Sequence, residues 1–322
     1  MKGCVTMKIS VLDSSTLGND LDLSVLKNYG ELEIYSSTTT EETPAHCMDS
    51  DILVINKVKI NENTLPDPGK VKLICLFATG FDNVDINYCK KHSIALCNVV
   101  GYSTDSVAQL TIALVLNLAC RILEFSHHVT SGDYTKGGVA NWLVPVYNEL
   151  MGKTWGIVGL GNIGKRVAKV AEAFGCNVLV NKRTPSDEYE NADIDTLCRE
   201  SDIITIHTPL TDETHHLINQ KRISMMKKNV ILVNVARGLV TDESAVAKAI
   251  KDGKIGGFGC DVFSKEPFGN DHPFYEIMHL DNVCLTPHMA WGAYEARVRC
   301  LDEICKNIES FNSGNTRNRL DI

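Results

Sequence analysis

Arg237, Glu266 and His288 each stand just after a short β-branched run, in the contexts Asn234-Val-Ala-Arg237-Gly238, Asp261-Val-Phe-Ser-Lys-Glu266-Pro267 and Thr286-Pro287-His288. Together these types can reduce the carbonyl of a 2-oxo acid. A guanidinium offers a planar fork that holds a carboxylate and polarises a ketone. An imidazole changes charge near neutral pH and can protonate the developing alkoxide. A carboxylate bonded to the other ring nitrogen orients the imidazole and favours its protonated form by opposite charge. Singly, an Arg-Gly turn, a Glu-Pro loop start or a His after a strand has an ordinary structural explanation. Their joint placement at strand ends points to chemistry, because ligands of open parallel sheets bind beyond the carboxyl ends of the strands.

The same half of the chain carries Gly159-Leu-Gly161-Asn162-Ile163-Gly164, directly after the strand pattern TWGIV and at the start of the helical run NIGKRVAKVAEAF. A second strand pattern, NVLVN, completes the βαβ unit that turns a weak motif into a dinucleotide fingerprint. Gly159 is expected to make the tight turn, Gly161 to admit a pyrophosphate close to the backbone, and Gly164 to let helix and strand pack. The helix-start N–H groups, with the dipole, then hold the phosphate charge. At the end of the second strand, where a carboxylate ordinarily accepts from the adenosine ribose, stand Asn181, Lys182 and Arg183. Two cations there suit a 2′-phosphate, so the expected cofactor is NAD or NADP, with NADP at least accepted.

These residues need a scaffold of alternating strands and helices. From Lys8 to about Gly101 the runs KISVLD, ELEIYSS, DILVINK, KLICLFATG and IALCNVV alternate with helical stretches, and a second such series lasts from Lys153 to about Pro287. Between them, Asp105 to about His128 reads as one long helical segment bridging two domains, with Ser103 and Thr104 available to cap it. Residues from Ala293 to about Phe311 look helical again. The fold class expected is α/β: two doubly wound parallel-sheet domains, with a Rossmann-type NAD(P)-binding domain (102–292) inserted into a flavodoxin-like substrate domain (1–101 and 293–322). The six residues before Met7 look like an addition ahead of the first strand.

Composition narrows the partners. With 322 residues the chain exceeds what one core usually holds. A net charge of -8 and a pI near 5.7 argue against a surface built for nucleic acid or anionic lipid. No secretory or membrane-span stretch is visible, so a cytoplasmic protein is expected. The 12 cysteines are scattered, form no Cys-x-x-Cys and read as reduced core thiols; no metal site is expected.

From Ala78-Thr-Gly-Phe-Asp-Asn-Val-Asp85 through Gly101-Tyr-Ser-Thr-Asp-Ser-Val-Ala-Gln109, the Gly159 fingerprint, His207-Thr-Pro-Leu and the Arg, Glu and His motifs, the chain resembles the D-isomer-specific 2-hydroxyacid dehydrogenases over nearly its full length. The runs around Tyr102 and from His288 to Arg297 look most like the glycerate dehydrogenase (hydroxypyruvate reductase) branch. The resemblance implies a homodimer built around the bridging region, a small 2-oxo or 2-hydroxy acid as substrate, and Arg237, Glu266 and His288 in the roles above. It also implies that Thr79 and Gly80 lend backbone N–H groups to the substrate carboxylate, and that Thr104, Thr208 with Pro209, Ala236 and Asp261 line the cofactor. The family's usual acidic residue at the end of the second cofactor strand is absent, at Lys182.

For the substrate, Lys57 at the end of DILVIN can reach a hydroxyl or carboxylate, and Trp291 beside His288 can close over a small molecule. Hydroxypyruvate and glyoxylate, giving D-glycerate and glycolate, are the leading candidates. The alternatives are a dehydrogenase for another D-2-hydroxy acid and a dinucleotide-sensing protein of the corepressor kind. Formate oxidation would use an uncharged partner for the histidine, against Glu266.

Overall fold

The computed structural model describes residues 7–322; the segment before Met7, read above as an addition, lies outside the described residues. The chain divides into two compact units, one running up to Ser103 and resuming at Gly292–Ile322, the other Thr104–Trp291.

In the first unit β1 (Lys8–Val11), β2 (Glu31–Ile34), β3 (Ile52–Ile55), β4 (Leu73–Leu76) and β5 (Ala95–Cys97) alternate with helical segments that include α1 (Thr43–Cys47) and α2 (Ile86–Lys91). The strands form one parallel sheet in the order β2-β1-β3-β4-β5. β3 and β4 are buried at every position, which is why they read as unbroken apolar runs rather than as alternations.

The second unit opens with α3 (Thr104–Cys120), α4 (Ile122–Thr130) and α5 (Asp133–Gly137). It continues through β6 (Thr154–Val158), α6 (Asn162–Ala173), β7 (Asn177–Asn181), β8 (Glu190–Asn191), α7 (Ile194–Glu200), β9 (Ile203–Ile206), α8 (Gln220–Met225), β10 (Val230–Asn234), α9 (Glu243–Lys251), β11 (Ile255–Cys260) and β12 (Val283–Leu285). Its parallel sheet has the order β12-β11-β10-β9-β6-β7-β8, so the chain reverses direction across the sheet between β6 and β9, the place where such folds bind ligands. Successive strand residues feed opposite faces: Trp155 and Ile157 enter the core beneath α3 and α6, and Val158 the core beneath α7 to α9. α6 lies on the sheet through Gly164, Val167, Ala168 and Ala171, an apolar stripe at helical spacing.

The bridging segment is not the single helix expected. Arg121 adopts a left-handed backbone, φ 54°, and α3 and α4 meet at a 62° bend. No glycine or proline breaks the period; Arg121 pairs with Glu124, and the Leu123 N–H donates to the Asn117 side chain at 3.2 Å, so local side-chain contacts brace the break. After β12 the chain returns to the first unit as α10 (Tyr294–Asn312), packed on β4 and tied to the N-terminal region by Arg297, whose guanidinium donates to Asp20 at 2.6 and 2.8 Å. Among the described residues no single helix is long and apolar enough to cross a membrane.

Candidate active site

β6 runs into Gly159, whose φ of 94° suits glycine. A side chain there would lie 2.8 Å from the backbone between His207 and Thr208, and one at Gly164 would meet the Gly159 carbonyl oxygen at 2.2 Å. Gly161 is different: a Cβ there meets nothing within 4 Å. It stands at the start of α6 with no capping side chain, so the first N–H groups of the helix, at Asn162, Ile163 and Gly164, have no local acceptor. An open backbone cradle at a positive helix end fits a dinucleotide pyrophosphate.

At the end of β7 the Asn181 amide donates to the Ala192 carbonyl at 2.9 Å and is committed to the β7–β8 connection. Lys182 and Arg183 are exposed, and neither forms an ion pair among the described residues. Across the sheet, β9 ends at His207, Thr208 and Pro209. His207 is half-buried as a residue, yet both ring nitrogens are sealed from solvent and have no hydrogen-bond partner among the described residues. Burial pushes its pKa down to about 3, so the ring is neutral and unsuited to be a proton donor.

Arg237 follows β10 on a turn built by Asn234. That residue is fully buried, and its side chain both accepts the Ala236 N–H at 3.0 Å and donates to the Arg237 carbonyl at 2.9 Å. The half-buried guanidinium donates to the Ala236 carbonyl at 2.8 Å. Gly238 then touches the next loop so closely that a Cβ would lie 2.2 Å from the Phe263 carbonyl carbon.

Beyond β11 and β12 the remaining pair meets. Oε2 of Glu266 lies 2.6 Å from Nδ1 of His288, while Oε1 accepts the Phe263 N–H at 2.9 Å. The pair is partly exposed, 25 % for His288 and 31 % for Glu266, so it is open to solvent. His288 has φ 52°, a conformation uncommon outside glycine and held by its surroundings. Asp261, 1 % exposed, supplies much of that hold, accepting from the Thr286 hydroxyl at 2.6 Å and from the Met289 and Ala290 N–H groups at 2.9 Å each. Burial raises its carboxyl pKa, opposed by these same donors. The Trp291 indole N–H donates to the His288 carbonyl at 2.9 Å and its ring packs against the core, so its visible contacts support the histidine loop.

In the first unit, Lys57 and the Thr79-Gly80 pair follow β3 and β4 at the carboxyl ends of neighbouring strands. The buried Asp13 carboxylate accepts the N–H groups of Asn56, Lys57 and Val58, fixing the segment that presents the exposed Lys57. Thr79 donates its hydroxyl to the Val99 carbonyl at 2.7 Å, which leaves its backbone N–H outside the side chain's bonding. Thr104 opens α3 in the second unit, where Ala236 and Asp261 also lie. The structure thus joins Glu266 to His288 and sets Arg237 on the adjoining turn. Sequence reasoning missed the support: Asn234 as a staple, Asp261 as the holder of the histidine loop, and a buried Glu243 beneath the Glu266 loop. For Asn234 and Asp261, an amide or carboxylate in an otherwise apolar strand-end run was the available signal; Glu243, at a helix start, carried none.

Residues 112–290 match the family model described as D-isomer specific 2-hydroxyacid dehydrogenase, NAD binding domain. Similar proteins include a glyoxylate reductase of Thermococcus litoralis, 40 % identical over 80 % of this chain and 78 % of that one, and a glycerate dehydrogenase of Methylorubrum extorquens, 35 % identical over 98 % and 99 %. The crystal structure of D-lactate dehydrogenase from Aquifex aeolicus, complexed with NAD and lactic acid, superposes with a TM-score of 0.86 at 30 % identity, covering 98 % of this chain and 99 % of that one. With a family model over more than half of its length and relatives of 35–40 % identity, the chain belongs to the D-isomer specific 2-hydroxyacid dehydrogenase family.

Proposed function

We propose that this enzyme reduces hydroxypyruvate and glyoxylate to D-glycerate and glycolate with NADH or NADPH. The observation that carries the reading is the 2.6 Å contact between Glu266 and His288, a carboxylate paired to a half-exposed imidazole in a chain that resembles glyoxylate reductases and a glycerate dehydrogenase. The nicotinamide, when bound, supplies the hydride. Arg237 pairs with the substrate carboxylate and draws electron density from the ketone oxygen. Glu266 accepts the Nδ1 proton of His288, which leaves Nε2 to protonate the forming alkoxide. Thr79 and Gly80 offer backbone N–H groups to the carboxylate, and Lys57 a cation for a polar substituent. The Gly161 cradle holds the pyrophosphate, with Thr104, Thr208, Pro209, Ala236 and Asp261 along the cofactor.

The deciding experiment is initial-rate reduction of hydroxypyruvate, glyoxylate, pyruvate and a branched 2-oxo acid with each reduced cofactor. The reading expects the first two to lead in kcat/KM; no turnover with any pair would overturn it and favour the sensing alternative.

The exposed apolar side chains on α4 and the segment after α5, among them Leu143 at 72 % and Val146 at 77 %, support a homodimer formed through this region. Light scattering on a sizing column should return twice the 35.5 kDa chain mass. The free cysteines of the described residues support a reducing, cytoplasmic setting.

A further inference from the structure

A second carboxylate lies beneath the loop that carries Glu266. Glu243, the first residue of α9, is 7 % exposed, and the preceding Asp242 performs the helix cap by accepting the Ala245 N–H. The Glu243 side chain is therefore free to turn inward. Its Oε1 accepts the Ser264 N–H at 2.8 Å, and its Oε2 accepts the Ser264 hydroxyl at 2.5 Å and faces Nε2 of His272 at 2.9 Å. His272, also 7 % exposed, accepts the Phe274 N–H at Nδ1, 3.2 Å away, so Nδ1 carries no proton. Nε2 lies 2.9 Å from the Glu243 carboxylate and 3.4 Å from the Ser264 hydroxyl. The His272 ring stacks on Phe268, which keeps it in place beside Glu243.

A carboxylate withdrawn from water is expensive to keep unless its acceptor sites are filled, and here Ser264 supplies both hydrogen bonds while His272 stands 2.9 Å away. The same stretch of backbone is gripped from the other side by Gly238, next to Arg237, and Glu266 folds back onto the Phe263 N–H. The Phe263–Ser264 peptide is therefore the joint between the arginine turn and the glutamate.

We propose that Glu243, through Ser264 and His272, is a positioning residue that holds Glu266 in register with His288. The inference rests on the functional reading of that pair. Besides Glu266 and His288, the loop itself carries Lys265 and Asp271, Arg237 stands on the adjoining turn, and Asp261 and Cys260 lie at the end of β11; the variants below leave all of them in place.

The test compares Glu243→Gln and Ser264→Ala with the parent enzyme in three measurements: the pH profile of kcat/KM for hydroxypyruvate, the NMR titration of the His288 ring without substrate, and thermal unfolding. Glu243→Gln is expected to shift the alkaline limb and the ring titration to lower pH by about half a unit, the direction expected of Glu266→Gln, with kcat falling more than KM rises. Ser264→Ala, which deletes one hydroxyl and keeps the backbone, should shift both less. Profiles and ring titrations that superimpose on the parent's in folded variants would overturn the proposal, even if Tm falls. If Glu243→Gln does not fold, Ser264→Ala decides. Should the parent enzyme reduce no 2-oxo acid, the functional reading fails, while the ring titration still decides the positioning role.

Discussion

The Thr286 hydroxyl donates to the buried Asp261 carboxylate at 2.6 Å, two residues before the left-handed His288. This bond fastens the loop after β12 to the end of β11. Thr286→Val keeps the shape and removes the donor, leaving a buried charge short of one partner, and should lower stability by about 1–3 kcal/mol. The sign with pH is fixed. Burial already raises the Asp261 carboxyl and the hydroxyl opposes that rise, so the variant's carboxyl lies higher still. A group raised in the folded state is penalised once ionised, and the penalty vanishes where both states are protonated. Urea unfolding should therefore show the largest deficit near neutrality, with the ionisation part closing as pH falls through the raised folded-state values, above the ordinary carboxylate range; a deficit independent of pH would exclude this linkage.

Gly238→Ala tests the contact between the arginine turn and the glutamate loop. The new methyl would lie 2.2 Å from the Phe263 carbonyl carbon and 2.3 Å from the Ser264 nitrogen, both backbone atoms with little freedom to yield. The loops must separate, which should destabilise the enzyme by about 1–3 kcal/mol and reduce kcat with it. Full activity and unchanged Tm would show that the joint has slack.

Removing the imidazole proposed as proton donor separates chemistry from binding. His288→Ala should lower kcat for reduction by about 10²–10⁴-fold while cofactor affinity, measured by quenching of protein fluorescence, stays within about threefold. Glu266→Gln keeps a hydrogen-bonding partner at Nδ1 but removes the charge that favours the imidazolium, so the alkaline fall of reductase activity should move to lower pH. An unchanged profile in that variant would remove Glu266 from its role.

His207 is a site where burial opposes protonation. Its pKa of about 3, against an ordinary 6.5, means that the unfolded chain binds a proton between those values and the folded one does not. Stability therefore falls as pH drops from 6.5, by up to about 1.4 kcal/mol per pH unit from this group. His207→Leu removes both unpartnered nitrogens and should flatten the acid limb of the stability curve without loss at pH 7; a steeper limb would show that the ring has a partner in solution.

Strand ends and helix starts were legible because they are local. β-branched runs, the Gly159 to Gly164 spacing, and the residues following β10, β11 and β12 located Arg237, Glu266 and His288 before any contact was known. The break at Arg121 was not legible, because no glycine or proline marks it; the Asn117 side chain and an ion pair to Glu124 brace it. Glu243 was equally hidden: beside Asp242 at a helix start it reads as part of a cap, and only the fold brings Ser264 and His272 onto it. Which loop touches which is a property of the sheet order, and no spacing within one loop encodes it.

We propose that Lys182 and Arg183 bear on the remaining choice, between the two cofactors. Where a carboxylate would accept from ribose hydroxyls and repel a 2′-phosphate, these exposed cations can pair with the phosphate, and Asn181 is already committed to Ala192. Lys182→Asp should raise kcat/KM for NADH relative to NADPH by at least about tenfold, chiefly through KM, since each charged contact to the phosphate is worth about 1.5–3 kcal/mol. The effect on NADPH should weaken with added salt as the exposed charges are screened. A parent enzyme that strongly prefers NADH, with a ratio unmoved by the substitution, would mean that the cations lie outside the reach of the adenosine ribose.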